Sequence, residues 1–104
     1  MTTNTSRDLA HPDIDTVQLT DVLFALSEPA RLELVRLIAA EGPQSVANCQ
    51  VVDPSAPKST FSHHLKALRE AGLIRNEPAG RQRMVTLRRS ELDQQFPGLL
   101  DSVL

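Results

Sequence analysis

The alternation of apolar and polar positions predicts a mostly helical chain with one small β element. Over residues 57–74, Phe61, Leu65, Leu68 and Gly72 recur at i, i+4, i+7 and i+11, the stripe of a helix that lies on a core. The opposite side carries Ser59, Ser62, His63 and Lys66, with Lys58 and Arg69 on one flank and Thr60 and His64 on the other. Upstream, Ile14, Val17, Leu19, Val22, Leu23, Ala25 and Leu26 predict a helix over 14–26 whose apolar face is wider than one small core needs. Ser27-Glu28-Pro29 reads as a stop and restart, with Ser27 as N-cap and Pro29 in the first turn. The helix that follows turns Leu32, Val35 and Leu37-Ile38-Ala39 inward, leaves Arg31, Glu33 and Arg36 outside, and ends at Gly42-Pro43.

Ser45 is placed to cap a short helix through Val46, Ala47, Val51 and Val52, which packing must hold because it is too short to stand alone. Residues 53–57, Asp-Pro-Ser-Ala-Pro, are a turn by composition. A short helix, a turn and a helix with a polar outer face follow in the order of a helix-turn-helix unit. Gly72 closes the second helix, and Leu73 and Ile74 pack back on the core. Residues 73–77, a turn at 78–80 and residues 81–87 then read as a β-hairpin, in which Met84, Thr86 and Arg88 alternate with Arg83, Val85 and Leu87. Arginines at its tip make it a wing. Ser90 and Asp93 have the spacing of a capping box for a last helix, interrupted by Pro97-Gly98, after which Leu99, Leu100, Val103 and Leu104 form a second surplus apolar face. Residues 1–13 show no periodicity and are expected to be a flexible tail; residues 14–104 form one domain. The predicted fold is mainly α with a small β-hairpin wing, a winged helix-turn-helix of order α-α-α-α-β-β-α.

Composition sharpens this picture. Three Phe and no Trp or Tyr among 104 residues leave a thin core, so self-association is expected to add burial. No apolar run approaches the roughly 18 residues of a membrane span, and the first residues lack a signal pattern, which predicts a cytoplasmic protein without a membrane partner. The net charge of −2 is unevenly divided: residues 57–89 carry eight Lys and Arg against two acids, +6, and the rest sums to −8. A basic segment on an acidic body suits a face that meets nucleic-acid phosphates. Ser62-His63-His64 sits on a groove-facing helix without a Gly-rich nucleophile turn, so no catalytic residues and no enzyme are expected.

Three stretches resemble the ArsR/SmtB family of bacterial winged helix-turn-helix repressors. Ala25-Leu26-Ser27-Glu28-Pro29-Ala30-Arg31-Leu32-Glu33-Leu34-Val35 with Leu37 is similar to the family's opening helix pair. Ser59-Thr60-Phe61-Ser62-His63-His64-Leu65-Lys66-Ala67-Leu68-Arg69-Glu70-Ala71-Gly72-Leu73-Ile74 resembles its recognition helix, and Gly80-Arg81 ahead of Val85-Thr86-Leu87 its wing. The resemblance covers about residues 15–104. It implies a homodimer built from the first and last helices, which here would engage Val17, Leu19, Val22, Leu99, Leu100, Val103 and Leu104. It also implies double-stranded operator DNA of two-fold symmetry as partner and repression relieved by an inducing signal. Metal-sensing members carry several Cys near the helix-turn-helix or Asp, His and Glu on the last helix. Here there is one Cys and no His after His64, so no metal and no cofactor are expected.

Short hydroxyls, an imidazole and long cations in the first turns of a helix suit entry into a major groove. Lys58, Ser59, Thr60, Ser62 and His63 are therefore candidates for base edges and nearby phosphates; Lys66, Arg69, Arg81, Gln82 and Arg83 are candidates for backbone or minor-groove contact. His64, beside the apolar stripe, is expected to be a structural hydrogen-bonding residue, as its family counterpart is. Cys49 is read as a small core residue or as an oxidation-sensing thiol. A winged-helix module that binds protein rather than DNA is the alternative of another class.

Overall fold

The computed structural model of the chain describes residues 9–104. Helix α1 (Leu19–Leu26) buries Val22, Ala25 and Leu26, one helical stripe at i, i+3 and i+4. Helix α2 (Pro29–Glu41) starts with Pro where no N–H is needed, and the Glu28 carboxylate accepts the Ala30 N–H at 3.2 Å as its cap. Strand β1 (Gln44–Ser45) leads directly into α3 (Val46–Cys49), where Ser45 Oγ accepts the Asn48 N–H at 3.1 Å. A 3₁₀ turn, Gln50–Val52, and a polar loop then reach α4 (Lys58–Glu70). Strands β2 (Ile74–Ala79) and β3 (Gln82–Leu87) and the helices α5 (Arg89–Gln95) and α6 (Leu99–Val103) complete the order. The sheet runs β1-β3-β2, antiparallel throughout, with Ser45 opposite Met84 and Ile74 opposite Leu87. No helix of the described residues is long and apolar enough to cross a membrane.

The core lies between α2, α4 and the sheet. Leu34, Val35 and Ile38 of α2 meet Phe61, Leu65 and Leu68 of α4, and Leu73, Ile74, Val85, Leu92 and Leu100 close it. The corner between α4 and β2 sets the angle at which the wing leaves the helix. There the Gly72 N–H donates to the Arg69 carbonyl and the Leu73 N–H to the Leu68 carbonyl, each at 3.0 Å, a paired helix ending that requires a left-handed residue. Gly72 supplies it with φ of +90°, and the face where a Cβ would stand is filled by Val17.

Several expectations are corrected. The helix over 14–26 is broken: a 3₁₀ turn, Ile14–Thr16, is followed by extended backbone at Val17 and Gln18, because Val17 leaves the helical path to pack against Gly72. Val17, Val22 and Leu100, expected at a dimer interface, are enclosed in this chain's own core. Ser27 does not cap α2; its hydroxyl donates to the Phe24 carbonyl at 2.6 Å while Glu28 caps. Arg31 is buried rather than outside. Ser90 makes no cap, because α5 already starts at Arg89 with Arg88 at its N-cap. The hairpin turn is Gly80-Arg81 rather than 78–80, since Ala79 pairs with Gln82, and β1 adds a third strand.

Residues 9–13, expected in the flexible tail, are held as a strap across three elements; the remainder of that expected tail, residues 1–8, lies outside the described residues. Arg69 of α4 donates to the Ala10 carbonyl, the Asn76 N–H of β2 donates to His11 Nε2 at 3.0 Å, and Arg88 donates to the Pro12 carbonyl at 2.7 Å. Burial lowers the pKa of His11, keeping the neutral imidazole that can accept this bond. The Arg88 side chain is only 1% exposed and is held by both Glu91 oxygens, at 2.9 and 3.0 Å, while Arg75 adds a bond of 3.1 Å to Glu91.

Glu91 gives a pH prediction. Hydrogen bonds from Arg88, and secondarily from Arg75, hold its carboxyl at about 2 against the opposing effect of burial. A folded pKa below the ordinary 4.5 means that its stabilisation is complete above that value and is lost as pH falls toward 2. The carboxyl is about one-third exposed, so solvent screens the effect. The difference in Tm between wild type and Glu91→Gln should therefore shrink on acidification across that window; a difference independent of pH would count against the assignment.

Candidate nucleic-acid interface

With Phe61, Leu65 and Leu68 turned inward, the opposite face of α4 presents Lys58, Ser59, Thr60, Ser62, His63 and Lys66, all exposed. Pro57 at the N-cap offers no capping side chain and the first turn contains no acid, so the positive end of a 13-residue helix opens to solvent. Such an end attracts phosphate, and the two hydroxyls and the imidazole beside it can donate to or accept from base edges. Arg81, with Gly80 at φ of +65°, forms the hairpin tip, and Gln82 follows it; both side chains are exposed.

The cations divide into two groups that sequence position alone does not separate. Arg75 and Arg88 pair with Glu91, Arg89 with Asp93 at 3.2 Å and with Asp101, and Arg69 is spent on Ala10. Arg83 Nε donates to Asn76 Oδ1 at 2.8 Å and its Nη2 to the Asn76 carbonyl at 2.7 Å, tying the two hairpin strands together. Lys58, Lys66 and Arg81 are the exposed cations of this segment without an ion pair among the described residues. The +6 of residues 57–89 thus mostly fastens the wing, the strap and α5 to one another. Arg69, expected to touch DNA backbone, is buried with its guanidinium turned to the strap.

His63 is exposed, whereas His64 is half-buried with Nδ1 enclosed and without a hydrogen-bond partner among the described residues. The hydrogen-bonding role expected of His64 is therefore not seen at that atom. The two rings stand 6.4 Å apart and tilted by 45°. No group of three His, Cys, Asp or Glu that could hold a metal ion occurs among the described residues. Cys49 is wholly enclosed, and burial pushes its thiol up to about 11, which leaves little thiolate at neutral pH. That is a setting in which Cys49 serves as a packing residue.

The surplus apolar surface is narrower than the pattern implied. On α1, Leu19, Leu23 and Phe24 are exposed, Phe24 to 72%. At the other terminus Leu99, Val103 and Leu104 are half-buried against the core and partly open. Sequence reasoning missed Asn76 and the strap residues Ala10, His11 and Pro12; Ala10 and Pro12 gave no signal because they act through backbone carbonyls.

Residues 26–77 match the family model described as a helix-turn-helix domain, a span from the end of α1 into the hairpin's first strand. The "Uncharacterized HTH-type transcriptional regulator YceK" of Bacillus subtilis (strain 168) is 32% identical over 87 residues, covering 79% of this chain and 82% of that one. A crystal structure of a "Possible transcriptional regulator for arsenical resistance" is 39% identical, covers 79% of this chain and 82% of its own, and superposes with a TM-score of 0.63. The homodimeric winged helix-turn-helix DNA-binding domain Mb0332 of Mycobacterium bovis shares the fold with a TM-score of 0.64 at 22% identity, covering 91% and 89% of the two chains. With the exposed face of α4 and the hairpin beside it, these likenesses show that the chain belongs to the ArsR family of winged helix-turn-helix, DNA-binding transcriptional regulators.

Proposed function

We propose that the chain acts as a homodimeric repressor of an operator with two-fold symmetry. The first two turns of α4 lie in the major groove, and Lys66 and Arg81 rest on phosphates. The observation that carries this reading is the exposed, uncapped and acid-free N-terminal half of α4, standing on a rigid base of Phe61, Leu65 and Leu68. The exposed Leu19 and Leu23 of α1 and the partly open Leu99, Val103 and Leu104 support self-association, as does the homodimeric state named for Mb0332. Two copies would place two recognition helices on half-sites roughly 34 Å apart. In this reading the releasing signal is not a typical metal ion, because the sequence carries one Cys and no His after His64.

Selection from randomised duplex DNA tests the reading. It should enrich a pseudo-palindrome, and failure to enrich any sequence would point to a protein-binding module instead. With an operator in hand, His63→Ala is expected to narrow the gap between operator and scrambled DNA, because it removes a group aimed at base edges. A variant that keeps full discrimination would end that role. Arg81→Ala should weaken binding to every sequence and lower the salt slope by about two for a dimer, one cation per wing. A fluorescence-anisotropy titration over salt concentration with an unchanged slope would remove Arg81 from the phosphates. Arg83 is the wrong residue for this test, because its loss would also loosen the hairpin through Asn76.

A further inference from the structure

A cleft of about 390 Å³ lies between α4 and the hairpin, with Ser62 and Lys66 in its lining. Its lining is mostly apolar, from Leu65 of α4, Val46 of α3 and Leu9 at the start of the strap. Its polar groups are Ser62, Lys66 and the enclosed Arg69 of α4, with Asn76 and Arg83 of the hairpin, which are bonded to each other. A DNA phosphate needs the cation and hydroxyl but gains nothing from an apolar floor. A cavity in the usual ligand size range, with apolar walls and a few convergent polar groups, has the character of a small-molecule site.

We infer that this cleft binds a small amphipathic carboxylate, an aryl or medium-chain acyl acid, and that its occupation releases DNA. The apolar body lies on Val46, Leu65 and Leu9, and the carboxylate accepts from Lys66 and Ser62. These two residues are the ones assigned to DNA in the reading above, on which this inference rests. A bound carboxylate neutralises Lys66 and occupies the Ser62 hydroxyl, so ligand and DNA exclude each other. By linkage, DNA weakens the ligand by the same factor by which the ligand weakens DNA.

The test uses the full chain and four probes: octanoate, phenylacetate, 1-octanol and sulfate. Calorimetry without DNA reports on the cleft alone, and anisotropy without ligand reports on the DNA reading alone, so either can fail separately. Octanoate or phenylacetate is expected to bind and to lower operator affinity at least about tenfold, whereas octanol and sulfate do neither. Leu9→Ser removes one wall at an exposed position outside the DNA face; it should weaken the acid about tenfold while leaving operator affinity unchanged. Lys66→Met keeps the apolar stem and should abolish the preference for octanoate over octanol. No binding of either acid, sulfate binding as well as the acids, unchanged acid binding in Leu9→Ser, or acid binding that leaves DNA in place would each overturn the inference.

Discussion

Gly72→Ala is expected to lower stability by about 3 kcal/mol, made up of about 1–2 kcal/mol for a left-handed backbone at a residue with a Cβ and at least as much again for overpacking. For a domain of this size that is a fall in Tm of roughly 15 °C. Both terms have a visible source: φ of +90° in the paired helix ending, and a Cβ position already filled by Val17, whose Cγ1 stands at 3.1 Å and whose Cγ2 is closer still. Only the second depends on Val17. The double variant Gly72→Ala with Val17→Ala should therefore be less destabilised than the sum of the two single changes, measured by thermal or urea unfolding. Strict additivity would show that Val17 is not what fills the corner.

Ser59→Glu should separate folding from function with opposite signs. An acid in the first turn of α4 meets the uncapped positive end of the helix and should raise stability by about 0.3–1 kcal/mol. In the proposed complex the same charge would stand beside DNA phosphates, once in each copy, and should lower operator affinity on the order of a hundredfold through lost hydroxyl contact and like-charge repulsion. A protein with a raised Tm that no longer binds DNA is the expected result. Unchanged DNA affinity in a well-folded Ser59→Glu would move the interface off this end of α4. Most helix starts welcome an acid, so its absence here fits an end kept open for a ligand's negative charge.

Those two sites were legible in the sequence because their signals are local. Gly72 follows an apolar stripe at the point where a helix must end, and Ser59 lies opposite that stripe. The existence of the helices, the hairpin and the enclosed Leu73-Ile74 pair followed from the same short-range periodicities. The failures share a different cause. The pattern marked Val17, Leu19, Val22 and Leu23 alike as apolar, but Val17 and Val22 are enclosed while Leu19 and Leu23 are exposed, and Val17 packs against Gly72, 55 residues later. The arginines 69, 75, 83, 88 and 89 were counted as outward charge, yet their partners are carboxylates, amides and backbone carbonyls that only the folded chain assembles. At the interface this left the exposed face of α4 readable, but not which cations were already engaged. Strand β1, two residues long, is too short for an alternation to register.

The strap has a kinetic consequence. Its three bonds join residues separated by 59, 65 and 76 positions, among the longest-range links in the molecule. Their acceptors cannot meet their donors until α4, β2 and α5 stand near their final places, so closing this loop belongs after the rate-limiting step of folding rather than before it. Weakening the strap, for instance by His11→Ala, should then leave the refolding limb of a chevron plot nearly unmoved and shift its cost into faster unfolding. Residues 9–13 would act as a late latch that sets how long the folded chain lasts more than how fast it forms.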